Sequence, residues 1–283
     1  MAIIGLVTHE NRDEAKLLAE DTALWLEAAG HDVRLLTSPG VTSRWGCSPA
    51  QLADGLDLAV SLGGDGTMLR TVDLVCGTGV PVLGVNVGHL GYLTEVDPDG
   101  LRAALKRFFA GDYRIEERMT LLIEVIGASS DTDTVVFRAL NDAVLQRTTS
   151  GHTIRLSVTL GGEPFLTYAA DSMIVASPTG STAYNLSARG PIVSPRARLL
   201  LVTPVAAHML FDRALVLAAT EVVGMELIEG RQAELVVDGQ SRGVLVSGDL
   251  VRCRAGDHDA RLVTFGERDF HHILKQKFGL SDR

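Results

Sequence analysis

Leu58-Ala59-Val60-Ser61-Leu62-Gly63-Gly64-Asp65-Gly66-Thr67-Met68-Leu69 is the stretch that decides the fold class. An apolar run of strand length meets three glycines and a carboxylate, then gives way to Met68, Leu69 and Val72 at helical spacing. This reads as a buried strand over 56–62 and a helix over 66–75. A strand passing to a helix through a tight glycine turn is half of a parallel βαβ crossover. The alternation continues on both sides. Residues 3–8 read as a strand, and residues 14–29 set Ala15, Leu18, Ala19, Trp25, Leu26 and Ala29 on one helical face that Thr22 alone interrupts. Gly30 stops that helix, 32–36 is a second strand, and 80–87 is a strand after the helix at 66–75. The first hundred residues therefore predict an α/β layer with parallel crossovers.

From Met119 the period changes to two. Short alternating runs at 121–125, 135–138, 154–160, 234–237, 244–246 and 260–263 are punctuated by Gly161-Gly162 and Asp238-Gly239. Such a pattern predicts antiparallel sheets and a sandwich-like second half. The change falls near 111–117, which gives an α/β domain over 1–115 and a β-sandwich domain over 116–266. Residues 267–283 form a tail whose helical stretch, 269–278, returns to the first domain. No internal repeat or low-complexity tract is present.

The 283 residues are 46% hydrophobic, enough for a sizeable core, and the low proline content excludes collagen-like and disordered classes. Acidic residues number 35 against 26 basic ones, for a net charge of −9, and no basic patch stands out. That balance argues against binding nucleic acid or a membrane surface and favours small-molecule work. Cys47, Cys76 and Cys253 lie far apart without a CxxC pair, which fits a reducing, cytoplasmic compartment. No leader is recognised at residues 1–7, and Pro204, His208, Asp212 and Arg213 interrupt the greasiest later stretch, 199–219, so a soluble protein is expected.

Four segments carry candidate chemistry. Gly63-Gly64-Asp65-Gly66-Thr67 lets backbone approach an anion, and the following helix offers unpaired N–H groups and a favourable dipole. It is neither a dinucleotide-binding GxGxxG, since Leu69 stands where the last glycine belongs, nor a P-loop. The alternative is an ordinary strand-to-helix turn with Asp65 near an N-cap. A carboxylate among phosphate-friendly backbone repels phosphate unless a metal or a reacting hydroxyl intervenes. Asn86-Val87-Gly88-His89-Leu90-Gly91-Tyr92-Leu93 follows the next strand, so it should line one crevice with the Asp65 loop, and Tyr92 either stacks on a base or fills core. In Ser177-Pro178-Thr179-Gly180-Ser181-Thr182-Ala183-Tyr184 a strand ends in small hydroxyl residues and a helix begins at Ser181 or Thr182. Such a turn reads the edge of a purine or simply caps the helix. Asn141-Asp142 interrupts an apolar strand, as a functional pair or as a sheet edge or bulge.

Taken together, these segments resemble the NAD kinase family over most of the chain. The Gly-Gly-Asp-Gly-Thr loop is shared with diacylglycerol kinase-like and phosphofructokinase-like enzymes, whereas residues 177–184 and 86–93 are more specific to the family. The resemblance implies a Rossmann-like α/β domain, a C-terminal β-sandwich and a tail that packs back. It also implies phosphoryl transfer from ATP, or polyphosphate in some members, to the 2′-hydroxyl of the adenosine ribose of NAD, giving NADP. Asp65 would be the base or the group orienting the hydroxyl. Gly63, Gly64, Gly66 and Thr67 would hold donor phosphates bridged by Mg²⁺ or another divalent cation, with no metal site built from side chains. Gly66 also lies among the residues expected to meet the acceptor. Asn141 would contact the adenine end and Asp142 the nicotinamide ribose, while Thr179, Thr182, Ala183 and Tyr184 build the acceptor pocket. Asp171 would meet the nicotinamide carboxamide. A second subunit completes the pocket in the family, which implies a homo-oligomer, dimer or tetramer.

Three positions depart from the family pattern. Asn141-Asp142 stands for Asn-Glu, withdrawing the carboxylate by one methylene. Asp171-Ser172 stands for Asp-Gly, putting a Cβ where unusual dihedrals or a close ligand approach are expected. Ser187-Ala188-Arg189-Gly190 stands for Ser-Ala-Gly-Gly, setting a cation beside the acceptor pocket, where it binds a phosphate or fills space. These changes keep two other readings open: a paralogue phosphorylating another nucleoside or nucleotide hydroxyl, and a non-catalytic nucleotide-binding regulator. An intact Asp65 counts against the regulator, the 179–184 run against a lipid kinase, and the missing GxGxxG against a dehydrogenase.

Overall fold

The computed structural model describes residues 1–37, 43–88, 91–128, 134–149, 151–228, 231–266 and 270–279. These fall into two compact units, Met1–Glu117 with Ala260–Arg283, and Arg118–Asp259.

The first unit opens β1 (Ile3–Thr8), α1 (Asp13–Ala28), β2 (Asp32–Leu36), β3 (Gly46–Cys47), α2 (Pro49–Ala53), β4 (Leu58–Gly63), α3 (Asp65–Val75), β5 (Val82–Asn86), α4 (Leu101–Phe109) and β6 (Arg114–Arg118). In the second unit follow β7 (Leu121–Ile126), β8 (Thr134–Ala139), β9 (Asp142–Arg147), β10 (Ile154–Leu160), β11 (Glu163–Ala170), β12 (Ser172–Ala176), the short helix α5 (Tyr184–Ser187), β13 (Leu199–Val205), β14 (Leu215–Ala218), β15 (Val223–Leu227), β16 (Ala233–Val237), β17 (Gln240–Leu245) and β18 (Leu250–Ala255). The chain then returns to the first unit as β19 (Ala260–Thr264) and α6 (Phe270–Lys277).

The first unit is one sheet in the order β3-β2-β1-β4-β5-β19-β6, with β1, β2, β3, β4 and β5 paired in parallel. Its central strands are buried on both faces. Ile4, Leu6, Val60, Leu62, Leu83 and Val85 pack with Ala19, Ala23 and Leu26 of α1 and Leu101, Ala104 and Leu105 of α4. On the other face, a Cβ at Gly5 would strike Leu52 and Leu56, and one at Gly84 would crowd Met68 and the backbone of Leu93 and Thr94. From β1 the chain winds outward to β2, and from β4 it winds the opposite way to β5. The crevice outside the carboxyl ends of β1 and β4 is thus the topological switch point, where ligands of open α/β sheets dock.

The second unit stacks two antiparallel sheets, β11-β10-β15-β18-β7-β8 and β14-β13-β12-β9-β16-β17. Their inner faces share one core that includes Leu121, Leu145, Leu156, Tyr168, Met173, Val175, Met225 and Leu235. Among the described residues no helix is long and apolar enough to cross a membrane.

Two expectations are corrected. Residues 260–263, read as part of the antiparallel half, pair in parallel with β5 through Leu262 and Val82 and belong to the first unit. Period-two alternation reports that a strand has two environments, not which sheet it joins. The helix expected from Ser181 or Thr182 is a 3₁₀ turn over Thr179–Thr182 followed by only four α-helical residues. The tail helix begins at Phe270; Asp269, the first residue of its expected span, lies outside the described residues, as do His89 and Leu90.

Candidate functional site

In the first unit, β4 ends at Gly63, Gly64 is the N-cap of α3, and Asp65 is the helix's first residue. Asp65 turns its carboxylate onto the loop after β5. Oδ2 accepts the Tyr92 backbone N–H at 2.8 Å and Oδ1 that of Leu93 at 3.0 Å. The two loops expected to share a crevice are tied by these bonds. A Cβ at Gly91 would collide with both carboxylate oxygens of Asp65, so glycine there is a condition of the contact. Each oxygen keeps a further lone pair for a hydroxyl.

The loop glycines answer to different constraints. Gly63 must be glycine because a Cβ would overlap the buried Thr67 side chain. Gly64 has extended backbone, Gly66 is helical, and a Cβ on either would meet nothing within 4 Å. Neither packing nor conformation demands glycine at those two positions, and the bare backbone leaves open space in front of the loop. Thr67 is folded under the loop rather than presented on it. Tyr92 is partly buried, and its phenol pKa is raised by that burial and then by the Asp65 charge. Lys277 of α6 places Nζ 5.1 Å from the centre of the Tyr92 ring.

In the second unit three strand ends converge: the start of β9 at Asn141-Asp142, the end of β12 at Ala176-Ser177, and the end of β16 at Val237-Asp238. Asp142 pairs with Ala176, and Ala143 with Val237. The Ser177 N–H donates to the Asn141 carbonyl at 2.8 Å, and the Ser177 hydroxyl to the Leu140 carbonyl. Gly180 lies so close to the Asn141 peptide that any Cβ would overlap it. Thr179 is buried and receives the Arg118 guanidinium at 3.4 Å, while the Thr182 hydroxyl donates to the Thr179 carbonyl at 3.3 Å. Ala183 and Tyr184 then enter α5.

Asp142 is only 5% exposed. Its carboxyl pKa is pushed up to about 7, first by burial and second by the Asp238 charge, against a hydrogen bond from the Tyr184 backbone N–H. Asp238, in a left-handed conformation at φ 48°, accepts the backbone N–H groups of Leu140 (2.7 Å), Asn141 (2.8 Å) and Asp142 (3.1 Å). Sequence reasoning saw Asp238-Gly239 only as a hairpin turn. A carboxylate in a turn opposite an Asn-Asp pair was the available signal.

Asn185 was also missed. Fully buried, it donates to the carbonyls of Ser181 (3.3 Å) and Pro191 (3.1 Å) and accepts the Thr203 hydroxyl at 2.7 Å, pinning the segment after the 3₁₀ turn.

Arg189 and Asp171 sit apart from this cluster. Arg189 caps the end of α5 at φ 63°, with its N–H on the Leu186 carbonyl at 3.0 Å. It lines a concavity of about 420 Å³ with Ser187, Thr203, Val205, Ala206 and Arg213. Asp171 precedes β12 and pairs with Arg147 at 3.1 Å. The five residues of β12 separate it from Ser177, which at about 3.3 Å per residue is roughly 17 Å or more. Ser172 corrects the expectation of unusual dihedrals, for it is a buried strand residue with negative φ, paired to Gln146 and Val205.

Residues 4–113 match a family model described as the ATP-NAD kinase N-terminal domain, and residues 140–265 one described as the ATP-NAD kinase C-terminal domain. The chain is 41% identical over 281 residues to an NAD kinase of Heliobacterium modesticaldum, covering 98% of both. It is 37% identical over 280 residues to one of Wolinella succinogenes, covering 99% of this chain and 96% of that one. Among solved structures, yeast NADH kinase complexed with NADH superposes with a TM-score of 0.90 at 24% identity, covering 100% of this chain and 89% of that one. An NAD kinase from Archaeoglobus fulgidus in complex with ATP superposes at 0.74 and 22% identity, covering 99% and 100%. At those identities the likeness speaks to the fold.

Proposed function

Because the chain belongs to the NAD kinase family, we propose that it transfers the γ-phosphoryl group of ATP to the 2′-hydroxyl of the adenosine ribose of NAD, giving NADP. The observation that carries this reading is the carboxylate of Asp65, fixed by two backbone N–H groups beside glycines whose faces are open. Phosphoryl transfer asks for positioning and charge neutralisation rather than covalent chemistry from the protein. Gly64 and Gly66 supply bare backbone to the donor phosphates. Asp65 orients the acceptor hydroxyl and takes its proton as the new O–P bond forms and the bond from the γ-phosphorus to the β,γ-bridging oxygen breaks, releasing ADP. Thr67 supports Gly63 from beneath.

A divalent ion fits this site as a passenger on the nucleotide. Mg²⁺ in kinases commonly rests on phosphate oxygens, water and one or two carboxylates, and Asp65 is the carboxylate beside the open glycine backbone. When bound, it neutralises the phosphates. Inorganic polyphosphate in place of ATP, with NAD as acceptor, tests the alternative donor.

In the second unit, Asn141, Asp142, Thr179, Thr182, Ala183 and Tyr184 hold the dinucleotide. Asp171 stands at the far end of β12, so its meeting with the nicotinamide carboxamide is best met by Asp171 of a second copy. This supports a homo-oligomer. Mixing an Asp65 variant with an Asp171 variant should then restore part of the activity that each lacks.

A paralogue with a changed acceptor keeps one specific observation in its favour. Arg189 holds a strained backbone at the edge of a concavity where the family has glycine. The deciding experiment offers purified protein Mg²⁺ and ATP with NAD, NADH, NMN, adenosine or AMP, and fixes the phosphorylated position by NMR. NADP at an ordinary enzymic rate establishes the proposal. Turnover of another acceptor alone overturns it in favour of the paralogue.

A further inference from the structure

Among the described residues of the first unit, the arginines on helices and at the sheet edge are paired or spent. Arg44 meets Glu27, Arg70 meets Glu10, Arg102 meets Asp21 and Arg107 meets Asp112, while Arg34 is held by the carbonyls of Gln51 and Asp54. Arg12 differs. It leaves the carboxyl end of β1 as the N-cap residue of α1, half-buried, and its guanidinium donates to one group, the Val87 carbonyl at the carboxyl end of β5.

Three observations tie Arg12 to the Asp65 loop. The Val87 N–H donates to the Gly63 carbonyl at 3.1 Å, so a single residue, Val87, links the guanidinium to the loop. Gly88, at φ 127°, leaves the space the guanidinium occupies, since a Cβ there would fall on Nη1. Asn86 pairs in register with Gly63 and is 8% exposed; its Nδ2 donates to the Gly88 carbonyl at 3.3 Å, and its buried Oδ1 has no partner among the described residues. A buried acceptor of that kind is satisfied by a donor on a ligand or by an ordered water. Among the described residues, β1, β4 and β5 thus bring to the switch point a cation that meets no carboxylate, bare glycine backbone and an unsatisfied acceptor.

The charge balance completes the case. Asp65 and Glu10 bring negative charge to this end of the sheet, and Arg70 is already engaged with Glu10. A condensed phosphate chain needs a cation here, and a guanidinium with one prong tethered keeps further N–H donors in its plane for phosphate oxygens.

We propose that Arg12 is a donor-binding residue, clamping the phosphate chain of the nucleoside triphosphate while Val87 and Gly88 hold its guanidinium in place. The proposal rests on the kinase reading above. In the full-length protein, Arg12→Gln should raise KM for ATP about 10- to 100-fold and leave KM for NAD within about twofold. The dependence of KM for ATP on ionic strength should flatten, because the screened charge contact is gone. Calorimetric titration with inorganic tripolyphosphate should weaken in parallel; if ATP loses affinity and tripolyphosphate does not, the clamp on phosphate is wrong. An unchanged KM for ATP in a variant with a lowered Tm would overturn the proposal and leave Arg12 a tether for β5. If Arg12→Gln does not fold, Arg12→Lys decides, since one ammonium satisfies Val87 or a phosphate but lacks the planar fork that does both. A rise in KM for ATP of about fivefold or more is then expected, and no rise overturns the clamp. Failure of the wild-type protein to phosphorylate NAD would sink the functional reading alone, because the tripolyphosphate titration still reports on Arg12.

Discussion

Asp238 holds the peptide that presents Asp142: its Oδ1 accepts the backbone N–H groups of Asn141 and Asp142, at 2.8 and 3.1 Å, while its charge faces the Asp142 carboxyl. The same residue thereby shapes the proposed acceptor site and makes ionising Asp142 costly. Burial and then Asp238 lift the Asp142 pKa from 3.8 to about 7. Between those values the folded state keeps a proton that the unfolded chain has released, so the stability this group contributes is lost as pH rises from about 4 to about 7. Asp142→Asn should therefore be more stable than wild type at pH 8, by on the order of 2–4 kcal/mol, with the difference vanishing near pH 4. Urea unfolding at several pH values measures it. A difference independent of pH would return the carboxyl to the ordinary range.

Asp65→Asn tests the proposed base. The amide keeps one oxygen for the Tyr92 or Leu93 N–H and turns an NH₂ toward the other, leaving a donor facing a donor. A stability loss of about 1–2 kcal/mol is expected from that mismatch. Loss of the carboxylate should lower kcat by about 10²–10⁴ with KM for NAD little changed. A kcat within a few-fold of wild type would remove Asp65 from proton transfer and leave it a structural tie between two loops.

Arg189→Gly separates strain from recognition. At φ 63° a side chain costs roughly 1 kcal/mol that glycine does not, so the variant should melt a few degrees higher. If the guanidinium also meets an acceptor phosphate, KM for NAD rises as Tm rises, an opposition that packing alone does not produce. Thermal melts beside steady-state kinetics on the same preparation read both.

Legibility of the sequence followed the range of the forces involved. β1, β2 and the β4–α3 turn were plain because apolar periodicity and glycine placement are local. The helix Leu101–Phe109 was overlooked although Leu101, Ala104, Leu105 and Phe108 stand at helical spacing, because it falls where the pattern was changing period. β19 was assigned to the wrong half, since its partner β5 lies far away in sequence. At the site, Asp65 and the 177–184 run were visible as motifs. Asp238 was not, because its role rests on hydrogen bonds to backbone far along the chain, and Asn185 was not, because a buried amide joining Ser181, Pro191 and Thr203 leaves no periodic pattern. Arg12 was invisible because only the fold brings the Val87 carbonyl, after β5, to a residue beyond the end of β1.

The loop glycines give the last prediction, which distinguishes a phosphate cradle from a plain turn. Gly63→Ala pushes a methyl group into Thr67 and should destabilise the protein by about 1–3 kcal/mol. Gly64→Ala and Gly66→Ala meet open space in backbone conformations that alanine adopts freely, and Gly66 lies in the first turn of α3. Their stability should stay within about 0.5 kcal/mol of wild type or rise slightly. If donor phosphates rest on that backbone, the same methyl groups stand in the way and KM for ATP should climb at least about tenfold. An ordinary turn, by contrast, would carry Gly64→Ala and Gly66→Ala without effect on either quantity. Melts and ATP titrations of the three variants side by side therefore say whether glycine is kept at 64 and 66 for the fold or for the ligand.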